Sequence, residues 1–140
     1  LRELQGHLEH LRKQYTDPAD FEFYSEATRD AIAAMKREIR EYQLVKSSSV
    51  EQILRLWARR GAVTPKKKTD LSMGELIAML RMVKGLTQEE LARRLGIQQA
   101  HIARYEQRGY SGYTVETLNG VFRELGVKLA LEPLSRRKAA

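Results

Sequence analysis

At 140 residues, 42% hydrophobic and 31% charged, the chain is long enough for one core plus a smaller helical unit and too apolar for a disordered tail. It contains no cysteine, which excludes a disulfide framework and thiolate metal sites, and no apolar run approaches the roughly 20 residues that span a bilayer. The net charge of +7 is uneven: residues 1–48 carry 8 Lys/Arg against 9 Asp/Glu, whereas residues 49–140 carry 17 against 9, a distribution that suits a polyanion-binding part joined to a part with another task.

Leu1, Leu4, Leu8, Leu11 and Tyr15 recur at intervals of three and four, one apolar seam along a first helix. Pro18 disfavours helix at Asp17, and Asp20 is the expected N-cap of a second helix reaching about Lys46. Its buried face is expected to use Tyr24, Ala27, Ala31, Met35, Ile39 and Tyr42, and the short connection makes residues 1–48 an antiparallel hairpin. Two helices bury little apolar surface alone, so this hairpin is expected to pack on the rest of the chain, a second copy or another protein. His7 and His10 lie three apart with no third ligand in view, which reads as exposed helix surface rather than a metal site.

Residues 49–70 read as a connecting helix and a basic linker. Ser49 with Gln52 has the form of a capping box, Val50, Ile53, Leu54 and Trp57 supply an apolar face, and Gly61 is placed for a left-handed C-terminal cap. GAVTPKKKTD follows, in which Lys66, Lys67 and Lys68 read by default as solvated linker, with phosphate contact as the alternative.

Residues 71–133 form the next expected domain. Ser72 with Glu75 and Thr87 with Glu90 are two more capping boxes, the first opening a helix with Leu76, Ile77, Leu80 and Val83 inward. Within 87–106, TQEELARRLGIQQAHIARYE, two short helices meet at Gly96, where a turn needs positive φ. Leu91, Leu95, Ile97, Ile102 and Tyr105 are apolar where crossed helices must touch, and Ala92 is small where they approach. QRGYSGYT is a loop, a helix from Val115 to about Leu125 ends at Gly126, and Gly120 inside it costs about 1 kcal/mol relative to Ala.

VKLALE changes period: Val127, Leu129 and Leu131 alternate with Lys128, Ala130 and Glu132 as in a strand. No second strand of that quality exists in the sequence, so the same strand of a second copy, antiparallel about a two-fold axis, is the expected partner. Residues 134–140 read as a basic tail. The fold class is all-α: an N-terminal hairpin, a five-helix domain and a short strand paired across a dimer.

Arg81, Thr87-Gln88, Leu91-Ala92, Gly96, Gln98-Gln99 and Glu106 stand in one register, and the segment from Leu71 to about Pro133 resembles the helix-turn-helix domain of the Cro/CI (Xre) family. The resemblance implies that Arg81 and Glu106 form a structural salt bridge and that Gln88 contacts phosphate. At 100° per residue, Gln99, Ala100, Ala103 and Arg104 share the face that would enter the major groove: Gln99 suits adenine, Arg104 suits guanine or a phosphate, and Ala100 or Ala103 suits a thymine methyl. Gln98 and His101 flank that face near phosphate, and Arg108, Tyr110, Ser111 and Tyr113 occupy the loop with which family members contact the backbone. Ala100 stands where phage repressors often carry a second base-reading Gln, so their operators do not transfer.

KREIREY in the leader, the R-x-x-K-G-L-T-Q-E-E-L-A run and LGVKL also resemble the HigA-like antitoxins of type II toxin–antitoxin systems. That resemblance implies a bacterial, cytoplasmic repressor, nucleoid-associated through DNA, binding double-stranded DNA at a pseudo-palindromic operator as a homodimer and a toxin through residues 1–46. A stand-alone or phage-like regulator, and a protein-interaction module, are the alternatives. With three His, no phosphate-cradling Gly loop and no acidic metal cluster, enzyme chemistry, metals and cofactors are not expected, nor is a membrane.

Overall fold

A computed structural model describes residues 1–62, 65–131 and 133. Among them are seven helices: α1 (Arg2–Gln14), α2 (Pro18–Ser47), α3 (Val50–Arg60), α4 (Met73–Val83), α5 (Gln88–Leu95), α6 (Gln99–Tyr105) and α7 (Val115–Glu124). No sheet forms among the described residues; an isolated bridge joins Gly61 and Leu71. The chain divides into two compact units, Leu1–Leu44 and Val45–Ala140, with the boundary inside α2. No helix of the described residues is long and apolar enough to cross a membrane.

In the first unit, Leu11 is buried while Leu4, Leu8 and Tyr15 are half-buried along the expected seam of α1. The start and the buried face of α2 both differ from expectation. Asp17, not Asp20, caps the helix: its Oδ1 accepts from the N–H of Ala19 (2.9 Å) and Asp20 (3.2 Å). Pro18 therefore occupies the first helical position, where its fixed φ fits and its missing N–H is not needed. The residues turned inward are Ser25, Thr28 and Ile32, whereas Tyr24, Ala27 and Ala31 are exposed. Burial of Ser25 is tolerated because its hydroxyl donates to the Glu22 carbonyl (3.3 Å) and accepts from Arg29 (2.7 Å). Tyr24 instead stacks on Tyr15, ring centroids 4.4 Å apart, and leaves Phe23 outside at 74% exposure.

The second unit is built around Ile77, Leu80, Leu91, Ile102, Val121 and Leu125, all essentially inaccessible, with Ile53 of α3 joining the same core. All three capping boxes are formed, at Ser49/Gln52, Ser72/Glu75 and Thr87/Glu90. Each satisfies two otherwise orphaned N–H groups at a helix start. Gly61 does not take the expected left-handed cap: its φ is −82° and its ψ 145°. Its use is space, since a Cβ there would lie 2.1 Å from the Trp57 ring, which packs over it and against the core. Gly96 does take positive φ (67°), closing the turn between α5 and α6.

Residues 127–131 follow α7 without regular secondary structure. A strand needs ladder partners, and one chain supplies none here. The expected alternation survives in part: Val127 and Leu129 pack against the core, Lys128 and Ala130 are exposed, but Leu131 is 95% exposed. The tail expected at 134–140 lies outside the described residues.

Candidate nucleic-acid interface

Arg81, in the last turn of α4, meets Glu106 at the C-terminal end of α6 with two parallel bonds, Nε to Oε1 at 2.5 Å and Nη2 to Oε2 at 2.9 Å. Its remaining Nη1 donates to the Leu86 carbonyl (2.8 Å), in the turn that leads into α5. The side chains are 14% and 8% exposed, so this pair ties three helices together in a place largely closed to water.

Glu106 carries a further partner. Gln88, the first residue of α5, donates its Nε2 to Oε2 of Glu106 (2.8 Å), and its Oε1 accepts from Nε2 of Gln99 (2.8 Å). A continuous chain therefore runs from Arg81 through Glu106 and Gln88 to Gln99, the first residue of α6. One N–H and the carbonyl oxygen of the exposed Gln99 amide remain for an outside partner, the set that a bidentate contact with adenine requires.

Gln98 is the N-cap of α6 but makes no side-chain cap bond, and it, Gln99, Ala100, His101 and Arg104 are all exposed. Ile102 is buried beneath them. Ala103, expected on the same face, is half-buried, so its methyl group lies at the margin rather than the centre of the outward surface. The surface is brought together by Leu91 and Ala92 of α5, which pack beneath α6 in the core.

The loop after α6 is more occupied internally than expected. The Arg108 guanidinium donates to Glu75 Oε2 (2.8 Å) and to the carbonyls of Asp70 (2.9 Å) and Lys67 (3.1 Å), which removes it from the free phosphate-binding cations. Tyr113 donates its hydroxyl to the Tyr105 carbonyl, and burial first, then the charge of Tyr110 and Glu106 nearby, pushes its pKa up to about 12. Tyr110 donates to the Gly112 carbonyl (3.2 Å) and packs edge-on against Tyr113, centroids 4.8 Å apart. These two tyrosines and Arg108 thus hold the loop in shape, while Ser111 remains exposed. None of these long-range partners is announced by a local pattern, because Arg108 and Glu75 are 33 residues apart.

A helix-turn-helix family model matches residues 77–131, from within α4 to Leu131. Over residues 77–131 the chain is thus similar to helix-turn-helix domains. The match supports a DNA-binding transcriptional regulator, with α5 and α6 as the two helices of the motif and Gly96 as its turn. No curated protein and no solved structure matches the chain.

Proposed function

We propose that this chain is a sequence-specific transcriptional repressor that presents α6 to the major groove of double-stranded DNA. The observation that carries this reading is the bonded chain Arg81–Glu106–Gln88–Gln99, which fixes the amide of an exposed residue at the start of α6. A groove-reading side chain gains selectivity when its rotamer is set before binding. Gln99 and Arg104 read base edges, with Ala100 and the margin residue Ala103 offering apolar contact. Gln88, Gln98, His101 and Ser111 hold the backbone. Arg108, Tyr110 and Tyr113 shape the loop from which backbone amides can reach phosphate.

One recognition helix reads too few base pairs to find a site, so the repressor acts as a homodimer on half-sites roughly 34–36 Å apart. The exposed Leu131, at the end of the alternating 127–131 segment, supports pairing of that segment with a second copy. A binding titration over salt on operator-selected and random DNA tests the reading. Selective binding with a steep negative slope of log K against log salt is expected; no binding at low salt contradicts it and favours a protein-interaction module.

Its second role is that of an antitoxin, with residues 1–46 holding a toxin and the helix-turn-helix domain repressing the shared operon. Support comes from the leader resemblance and from the exposed aromatic edge of α2, where Phe23 is 74% and Tyr24 50% exposed. Co-purification with the product of a small adjacent basic reading frame is expected. If that product does not co-purify, the chain is a stand-alone regulator.

A further inference from the structure

The three consecutive lysines ahead of α4 are held in a closed turn. Asp70 accepts the backbone N–H of Lys66 (3.0 Å) and Lys67 (2.9 Å) on its Oδ2, and its own N–H returns to the Lys67 carbonyl (3.1 Å). From outside the turn, Arg108 takes up the carbonyls of Asp70, Lys67 and Lys68 at 2.9, 3.1 and 3.5 Å, and Arg60 takes that of Thr69 at 3.2 Å. A stretch that composition makes a solvated linker is therefore clasped by its own backbone acceptors.

The clasp also decides where the lysines stand. Arg108 lies two residues beyond Glu106, the C-cap of α6. Independently, the start of α4 abuts the same end of α6, since a Cβ on Gly74 would come within 2.7 Å of the Glu106 carbonyl carbon and oxygen and 2.8 Å of the Tyr105 oxygen. The nearby carboxylates are already engaged, Asp70 by loop amides and Glu75 by Arg108 and the N-cap of α4. Lys66, Lys67 and Lys68 are exposed and form no salt bridge with any described residue.

We propose that the Lys66–Lys68 turn is a second contact surface for the phosphates of double-stranded DNA, positioned beside the C-terminal end of α6 by Arg108. The proposal rests on the reading of α6 as the groove-entering helix and extends its footprint to phosphates flanking the bases it reads. Ammonium groups on exposed stems recognise backbone charge and carry no base information, so the turn adds affinity and salt dependence without selectivity. Arg108 acts here as a positioning residue.

The test uses the full chain with Lys66, Lys67 and Lys68 all changed to Gln, beside Arg108→Gln, on operator and random duplexes across a salt series. For the triple variant the slope of log K against log salt is expected to become shallower by about 0.9 for each phosphate that the lysines no longer neutralise, with operator and random DNA weakened by the same factor. Arg108→Gln is expected to weaken both duplexes equally. A wild-type slope in the triple variant overturns the proposal while leaving DNA binding in place, and so does a weakening confined to the operator. Failure of the wild-type chain to bind either duplex overturns the helix-turn-helix reading itself.

Discussion

Glu106 is the residue on which the interface converges: both its carboxylate oxygens hold Arg81, and one also takes the amide of Gln88. With the pair largely desolvated, removing the acid strands a guanidinium whose only other described partner is the Leu86 carbonyl. Glu106→Ala is expected to cost about 3–5 kcal/mol of stability, read by chemical denaturation. The same change frees Gln88 and, through it, Gln99. In protein still folded at low temperature, operator affinity should therefore fall further than random-DNA affinity. Gln88→Ala separates the two effects, since it breaks the link to Gln99 and leaves the salt bridge whole. It should lower selectivity with little change in stability.

Among the elements, α7 carries a glycine that the fold does not use. Gly120 sits inside the helix with no positive φ, and a Cβ there would meet only Leu95 Cδ2 at 3.9 Å, beside an open cavity of about 290 Å³. Gly120→Ala is expected to raise stability by about 0.5–1 kcal/mol, seen as a higher midpoint in urea. Gly74 is the contrasting case, since any side chain there meets the backbone of Glu106 and Tyr105. The helix starts were legible because a capping box is written within four residues, at Ser49, Ser72 and Thr87. The crossing of α5 and α6 was legible from Ala92 and Gly96, and the exposure of Gln99, Ala100 and Arg104 from the period of α6, whereas Ala103 is half-buried. The buried face of α2 does not follow the apolar pattern because Ser25 and Thr28 are polar, and the burial of Ser25 rests on hydrogen bonds to Glu22 and Arg29 that a hydrophobic pattern does not encode. The internal bonds of Arg108 were not legible for a related reason: its carbonyl partners at Asp70 and Lys67 lie 38 and 41 residues away, and no local pattern announces them.

At the scale of the whole molecule, the charge asymmetry between residues 1–48 and 49–140 has a structural counterpart, because the basic part contains the helix-turn-helix domain and the clasped lysine turn. The homodimer proposal is tested by truncation. Removing residues 130–140 keeps Val127 and Leu129 on the core and deletes the exposed Leu131. Sedimentation should then show weaker dimers, with operator affinity falling in parallel. A truncated chain that dimerises as well as the intact one would move the two-fold contact elsewhere.

Base reading by α6 through Gln99 and Arg104 is the central claim, and one competition measurement addresses it directly. Gln99→Ala and Arg104→Ala are each compared with the intact chain on operator and random DNA at fixed salt. Each is expected to lose about 1–3 kcal/mol on the operator and much less on random DNA. Equal losses on the two DNAs would contradict base reading by this face.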